Sequence, residues 1–444
     1  MPDTVIVSSF PALLQIFAPC FTGPSLRTFV VLACGWALTL GRHTVTATVR
    51  AAGAERWKHI RSFHRFFAAG SWMTDEVGLV LVRLIDAFVP AGAVLVVAID
   101  DTLGRHTGKK IAAASMHRDP LLSTGRRPFF HWGHIWVIAG INVHAFGKTW
   151  CLPVIVRLYR SRKRCKQDKR DYLKTTQLAA QLIGVLAKAL THRKIVVVGD
   201  AAYTNRSVIR RRPSNVVLVG RSRLDAALYA PPPVRRRGQM GRPRVRGARI
   251  ASPGQQATRR ESRWQKVVVT VYGKTVTLRV LVIDALWYSA AASELMRLVV
   301  VRGFPGHERD DVFVCTDPTE QAKTIIEQFS ERWTIEVMFH EAKGKLGFED
   351  PQNRTERAVE RTAPMALWIY SVVVLWYVKT GQRLRAANVA SMPWYREKTA
   401  PAFSDMLATL RRASWAERLL APCANDATLR KSMRPLLRYL EAVA

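Results

Sequence analysis

The spacing of apolar and polar residues divides the chain into a helical first part and a strand-rich middle. Up to about residue 90, charged and apolar positions recur three and four apart, as in RWKHIRSFHRFFAAGSWMTDEVGLVLVRLIDAF (56–88), which is the period of an amphipathic helix. Apolar runs follow at AVLVVAIDDT (93–102), HIWVIAGINVHAF (134–146), WCLPVIVRLY (150–159) and KIVVVGDAAY (194–203). A helical pattern lies between the last two runs, so the order predicts an α/β fold with a mixed sheet flanked by helices.

The second half changes texture twice. Residues 221–264 are rich in Pro, Gly and Arg, and the apolar runs QKVVVTVYG, KTVTLRVLVI and DDVFVCT come after them, which predicts a basic loop within a β-rich insertion. Helical patterns then return. We therefore divide the chain into a helical domain (1–90), an α/β core in two parts (91–212 and 317–385), the insertion (213–316) and a C-terminal helical region (386–444).

Charge narrows the choice of partner. The 444 residues contain 68 Lys and Arg against 33 Asp and Glu, a formal net charge of +35, and such self-repulsion is typical of proteins that bind a polyanion. We favour nucleic acid over an anionic membrane or a merely basic soluble protein. The six cysteines form no CxxC pair, so they predict reduced core residues rather than a zinc ribbon or a disulfide scaffold. The apolar runs 28–40 and 365–378 are too short to span a bilayer and predict buried helices.

Acidic residues mark the ends of two predicted strands. Asp100 and Asp101 end the first run, Asp200 ends the last, and Glu336 lies on a later predicted helix. Because strand ends lie side by side at one edge of such a sheet, we expect these carboxylates to converge and to need divalent metal. Hard oxygen ligands suit Mg²⁺ or Mn²⁺, and two ions about 4 Å apart are typical of phosphodiester chemistry.

The segment FSERWTIEVMFHEAK (329–343) is the predicted helix that carries Glu336. At about 100° per residue, Phe329, Arg332, Glu336 and Lys343 project within roughly 60° of one another. Glu341 lies roughly 140° from Glu336 and should face away. The stripe is either a solvated charge pattern or part of a site.

These residues resemble the DDE transposases of bacterial insertion sequences, which have a ribonuclease H-like catalytic fold. The likeness is closest to the insertion-sequence-four type, whose Tyr-Arg-Glu-Lys signature matches Phe329, Arg332, Glu336 and Lys343 in every spacing. The resemblance implies that Asp101, Asp200 and Glu336 bind two Mg²⁺ or Mn²⁺ ions. We favour Asp101 over Asp100 because it directly precedes a Thr, as in the family.

The resemblance also implies DNA contacts. Arg332 and Lys343 match positions that grip the DNA backbone, whereas Phe329 replaces the family's Tyr and is either a DNA contact or a core aromatic. In the basic loop we expect Arg235, Arg236, Arg237, Arg242 and Arg244 to bind DNA, and residues 235–249 to be poorly ordered without it. We also favour DNA binding for the basic run 157–170. His131 and His134 are expected to be structural histidines rather than metal ligands.

The function implied is DNA transposition, with the helical domain 1–90 as the module that binds the DNA ends and residues 91–212 and 317–385 as the catalytic core. Such an enzyme binds terminal inverted repeats of double-stranded DNA, cleaves the DNA by metal-dependent hydrolysis and joins the 3′ ends to target DNA. The resemblance further implies a homodimer on paired ends, a cytoplasmic, nucleoid-associated location and no membrane. Two alternatives stay open: an inactive transposase-derived DNA-binding protein, and a ribonuclease H-like nuclease or resolvase that cuts without strand transfer.

Overall fold

The first half of the chain alternates helical and strand-rich stretches, as its pattern predicts. The structure is a computed structural model, which describes residues 7–235, 237, 239–384, 398, 400–420 and 426–443. Five helices come first and four strands follow: α1 (Ser9–Leu14), α2 (Gly23–Leu38), α3 (Val45–Ala51), α4 (Ile60–Ala68), α5 (Thr74–Asp86), β1 (Leu95–Arg105), β2 (Ser115–Arg118), β3 (Phe130–Ala145) and β4 (Lys148–Tyr159). The elements up to the basic loop are α6 (Arg162–Gln167), α7 (Thr175–Ala189), β5 (Ile195–Gly199), α8 (Arg206–Ile209), β6 (Val216–Ser222) and β7 (Leu228–Tyr229).

The second half begins with strands and ends with helices. After the basic loop come β8 (Arg249–Ile250), α9 (Pro253–Thr258), β9 (Gln265–Val271), β10 (Lys274–Leu286), α10 (Tyr288–Ala291), β11 (Leu295–Arg302) and β12 (Asp311–Cys315). The helices that follow are α11 (Ala322–Ser330), α12 (Trp333–Leu346), α13 (Glu356–Lys379), α14 (Phe403–Leu420) and α15 (Ala427–Val443). Residues 386–397, 399, 421–425 and 444 of the predicted C-terminal region lie outside the described residues, as does residue 385 at the end of the predicted core.

All twelve strands belong to one mixed sheet, in the order β2-β3-β1-β5-β6-β12-β11-β10-β7-β8, with β4 beside β3 and β9 beside β10. Strands β1, β5 and β6 are parallel, and β3 runs antiparallel to β1. The predicted mixed α/β sheet and the β3–β4 hairpin are confirmed. Strands of the predicted insertion continue the same sheet through β12 and β6.

Helix α13 lies at the centre of the core and contacts β4, α2, α4 and α5. It is long and apolar enough to cross a membrane by length and composition, but 89% of its apolar window is buried inside the protein, as the sequence predicts. Trp368 and Ser371 donate hydrogen bonds to the carbonyls of Val154 and Pro153 in β4, at 3.1 and 2.8 Å. Arg361 donates to the carbonyl of Phe67 at 3.0 Å, so α13 joins the N-terminal helices to the sheet.

The cysteines follow the prediction as far as the structure describes them. Cys20, Cys34, Cys151, Cys165 and Cys315 are buried and unpaired, and Cys423 lies outside the described residues. Burial raises the pKa of the Cys20 thiol to about 11, with a smaller contribution in the same direction from Glu76. The Cys20 thiol therefore stays protonated, and all five buried cysteines pack as small apolar side chains.

Candidate active site

The register of two parallel strands brings the first acidic residues together. Ile99 in β1 pairs with Gly199 in β5, so Asp100 and Asp200 follow at neighbouring positions where β5 ends. Asp200 turns the chain back on itself, because its carboxylate accepts hydrogen bonds from the backbone N–H groups of Ala202 and Tyr203 at 2.8 and 3.2 Å. The predicted approach of these acids at the sheet edge therefore has a structural basis.

Asp100 and Asp101 point to opposite faces of β1, because side chains alternate along a strand. The Asp100 carboxylate lies 3.1 Å from the Arg332 guanidinium, next to α12. The Asp101 carboxylate instead accepts a short hydrogen bond from the Tyr203 hydroxyl. Asp100 is thus the acid that shares a partner with Glu336, whereas the sequence favoured Asp101 from its position before Thr102.

The two carboxyl groups are costly to ionise where they lie. Burial, and after it the nearby charge of Asp200, raise the pKa of Asp100 to about 7, and Arg332 only partly offsets both. The pKa of Asp101 is also raised, first by burial and then by Asp200, against the hydrogen bond from Tyr203. Perturbed carboxyl groups of this kind are typical of functional sites.

The predicted Glu336 helix consists of two helices with a break at Glu331 and Arg332. The carbonyl of Glu331 accepts hydrogen bonds from the side chains of Asn142 and Thr334, at 3.2 and 2.7 Å. This carbonyl is thereby diverted from the regular helical ladder. Helix α12 then packs against β1 and β4, and Glu336 lies in its first turn.

Phe329 is a core residue, so the expectation that it contacts DNA is wrong. Its side chain is 5% exposed, and its ring lies 4.5 Å from that of Phe313 in β12, centroid to centroid. A ring packed between α11 and the sheet has no surface to offer a phosphate or a base. The second of the two interpretations, a core aromatic, fits this burial.

Arg332 bridges the acids of the site. Its guanidinium lies 2.8 Å from the Glu336 carboxylate and 3.1 Å from that of Asp100, and its side chain is 16% exposed. This geometry favours a role in which Arg332 neutralises the carboxylates of Asp100 and Glu336, rather than the expected contact with the DNA backbone. Lys343 donates from its ammonium to the Thr102 hydroxyl at 2.7 Å and to the carbonyl of Leu103 at 2.9 Å.

Glu341 faces another part of the protein, as its 140° separation from Glu336 predicts. Its charge contributes to raising the pKa of Tyr370 in α13, where burial is the main cause. Glu336 instead pairs with Arg332. The two acids of α12 are therefore on different sides of the helix.

The basic loop connects β7 to β8 and exposes its arginines. Arg235, Arg237, Arg242 and Arg244 are exposed, and Arg236 lies outside the described residues. At the base of the loop, Arg246 lies over the rings of Tyr229 and Tyr288, at 4.2 and 4.6 Å from their centroids. The DNA contacts expected of this loop stay a prediction.

Part of the basic run 157–170, for which we favour DNA binding, forms ion pairs within the protein. Several of its arginines form ion pairs with acids of the same chain: Arg157 with Asp75, Arg160 with Glu356 and Glu360, Arg164 with Asp168, and Arg170 with Glu356. Positive charge that is paired within the protein is less available to a phosphate. The run therefore holds α5, α6 and α13 together at this edge.

Comparison with known families gives the class of enzyme. The sequence profile of the DDE superfamily endonucleases matches residues 16–282, more than half of the chain. The chain belongs to this family. No match was found among curated proteins. The matched region includes Asp100, Asp101 and Asp200 but ends before Glu336, so the third acid is assigned on the helix signature and on its contact with Arg332.

Membership of this family supports a nuclease-type function, and DDE endonucleases typically use a divalent metal ion. The residues present fit such an ion, because the carboxylates of Asp100, Asp101 and Asp200 supply the hard oxygen ligands that it prefers. Burial and the charge of Asp200 raise the pKa values of Asp100 and Asp101, and a bound cation would offset this cost of ionisation. Arg332 supplies part of that charge in this structure.

Sequence reasoning missed two features of the site. The first is Tyr203, whose hydroxyl donates a hydrogen bond to Asp101. Its position three residues after Asp200, the acid that ends β5, is the one signal in the sequence. The link between Arg332 and Asp100 joins residues 232 positions apart. Neither contact follows from local pattern.

Proposed function

We propose that this DDE endonuclease is a DNA transposase of the insertion-sequence-four type. The observation that carries the proposal is the grouping of Asp100, Asp101 and Asp200 where β1 and β5 lie side by side, with Glu336 linked to Asp100 through Arg332. The matched spacing of the Arg-Glu-Lys signature supports the type. The enzyme binds the terminal inverted repeats of its element, cleaves the DNA and joins the freed 3′ ends to a target.

The residues divide the work by their chemistry. Asp100, Asp200 and Glu336 would hold Mg²⁺ or Mn²⁺, because Asp100 is the acid of β1 that lies on the Glu336 side. Asp101, which the resemblance favours, faces Tyr203 instead. Two bound divalent ions supply the positive charge that activates the attacking oxygen and stabilises the leaving oxygen. Because Arg332 pairs with both Asp100 and Glu336, it orients these acids in the protein without DNA.

The substrate is double-stranded DNA. A net charge of +35 gives the chain a strong, salt-dependent attraction for phosphates, and the exposed arginines of the basic loop extend it beyond the site. A homodimer on paired ends is proposed from the family resemblance. First water and then the freed 3′ hydroxyl attacks a phosphodiester at the same site, with no covalent enzyme intermediate.

One reaction separates the proposal from its alternatives. The purified protein is incubated with labelled element ends, Mg²⁺ and a target plasmid, and the products are resolved on a denaturing gel. End-to-target joined products are expected. Nicks without joining would instead identify a nuclease or resolvase, and binding without nicks would identify an inactive DNA-binding protein.

Variants test the assigned acids. Ala at Asp100, Asp200 or Glu336 should abolish cleavage and leave end binding largely intact, because these acids hold metal rather than DNA; a dead Asp101→Ala beside an active Asp100→Ala would restore the choice that the resemblance favours. Glu341→Ala is the control on the same helix and should cleave near the wild-type rate. Loss of activity in Glu341→Ala together with an active Glu336→Ala would overturn the assignment of the third acid.

A further inference from the structure

A second group of ligand-type side chains lies beyond the end of β1. His106, His134 and Glu349 are each 2–3% exposed at the side chain. His134 Nδ1 lies 2.9 Å from His106 Nε2 and 3.0 Å from Glu349 Oε1, and the latter two atoms are 3.4 Å apart. Among the described residues, this is the one group of three His, Cys, Asp or Glu whose ligand atoms all converge within 4.8 Å.

The hydrogen bonds fix which atom of His134 faces the group. Its Nε2 lies 2.9 Å from the carbonyl of Ala112, and a carbonyl only accepts, so Nε2 carries the proton. In neutral imidazole the Nδ1 atom then presents a lone pair. A single proton on His106 Nε2 can satisfy that lone pair, but His134 Nδ1 and Glu349 Oε1 still face each other as two acceptors. A cation between them removes this repulsion.

The distances match a common coordination geometry. Two ligand atoms bound to zinc at about 2.0–2.1 Å in tetrahedral directions lie about 3.3 Å apart, close to the 2.9–3.4 Å found here. An imidazole whose other nitrogen donates to a backbone carbonyl is also the usual arrangement of a metal-binding histidine.

The surroundings are shaped around the carboxylate of Glu349. Trp136 donates from its indole nitrogen to Oε1 at 2.6 Å, and Oε2 is buried with no hydrogen-bond partner among the described residues. A Cβ atom at Gly104 would lie 0.6 Å from Oε2, so only glycine leaves room for the carboxylate. Glu349 itself has a φ of +71°, a conformation that costs energy in a residue other than glycine and persists where surrounding contacts impose it.

We propose that His106, His134 and Glu349 form a binding site for a zinc-class divalent cation, separate from the carboxylate site and independent of the proposed function. Two imidazoles and one carboxylate suit zinc better than Mg²⁺, which prefers oxygen ligands. The Oε2 atom of Glu349, which has no hydrogen-bond partner among the described residues, is a further oxygen ligand for the cation.

The site has a positioning role. His106 directly follows β1, His134 lies on β3, and Glu349 comes shortly after α12. A cation bound by all three fixes the end of the helix that carries Glu336 to the strand that carries Asp100 and Asp101. The relative position of the catalytic acids would then depend on an ion that takes no part in the chemistry.

Cation binding can be measured on the untagged full chain. The protein is stripped with a chelator and titrated with Co²⁺ and Zn²⁺ in excess Mg²⁺, which occupies sites made of oxygen ligands. We expect about one Zn²⁺ per chain, the strong visible absorption of four-coordinate Co²⁺, and a rise in Tm of several degrees. Absence of a tightly bound ion in the wild-type chain would overturn the proposal and leave a hydrogen-bonded triad.

Variants locate the site. Glu349→Gln keeps the size of the side chain and the acceptor for Trp136, and His134→Gln removes the facing nitrogen; each should lose the cobalt absorption and the rise in Tm with Zn²⁺. His64→Gln, at an exposed histidine of α4, is the matched control and should bind as the wild type does. Circular dichroism of the chelated proteins checks that the variants fold. Unchanged binding in a folded Glu349→Gln would contradict the assignment.

Discussion

Replacing Asp100 by Asn should stabilise the protein in the absence of divalent metal. In the unfolded chain this carboxyl group ionises near its ordinary pKa of 3.8, and in the folded chain its pKa is raised to about 7. The folded state therefore binds the proton more tightly, and stability falls as pH rises between about 4 and 7. Below that range the penalty is absent, and above it the penalty is complete.

The size of the effect follows from the same values. At about 1.4 kcal/mol per pKa unit, ionising Asp100 in the folded chain costs on the order of 4 kcal/mol above pH 7. Solvent screening at a carboxyl group that is not fully buried reduces the expected gain from Asn to about 1–3 kcal/mol; the attraction of Arg332 is already included in the folded-state pKa. At roughly 1 °C per kcal/mol for a chain of this size, Tm should rise by about 1–3 °C at pH 8.

Thermal unfolding with a chelator present, at pH 5 and pH 8, provides the assay. The gain should be less than half as large at pH 5, because the wild-type carboxyl group is then protonated in the folded state. Glu308→Gln, at an exposed acid in the connection between β11 and β12, controls for the loss of one negative charge from a basic protein. Equal gains at both pH values, or a lower Tm for Asp100→Asn at pH 8, would refute the reasoning.

Three further predictions concern positively charged residues. Arg332→Ala should lower stability by about 1–3 kcal/mol in chelator, because it leaves Asp100 and Glu336 without their shared partner; Mg²⁺ should reduce the deficit, and a deficit unchanged by Mg²⁺ would count against a metal at these acids. Lys343→Ala should weaken end binding and reduce its salt slope by about one, so an unaltered slope would remove Lys343 from the DNA interface. Limited trypsin digestion should cut residues 235–249 first and more slowly with DNA; equal rates would exclude the loop from contact.

The fold was largely predictable because its strands are local features. Each apolar run is short, bounded by polar or glycine residues and rich in β-branched side chains, and the acids at the ends of two runs marked the sheet edge. Which face each acid takes was not predictable. Asp100 and Asp101 are neighbours in the sequence, and only the packing of α12 and Tyr203 on opposite sides of β1 distinguishes them.

The remaining features depend on contacts between distant segments. Helices α11 and α12 separate because Asn142 of β3 binds the carbonyl of Glu331, although the segment contains no Pro or Gly to announce a break. The contacts of His134 also join distant segments, since His106 is 28 residues away and Glu349 is 215 residues away. No local pattern in the sequence indicates them. A helical wheel placed Phe329 correctly beside Arg332 but could not show that β12 covers its ring.

The central place of α13 has a consequence for synthesis of the chain. A nascent chain that has reached only residue 355 has made β4 and the N-terminal helices but not the helix that covers them, so their apolar faces stay open to water and to other chains. Folding must wait until α13 leaves the ribosome. A product that stops earlier, through a frameshift or a nonsense mutation, would aggregate or be degraded rather than survive as a fragment that occupies DNA.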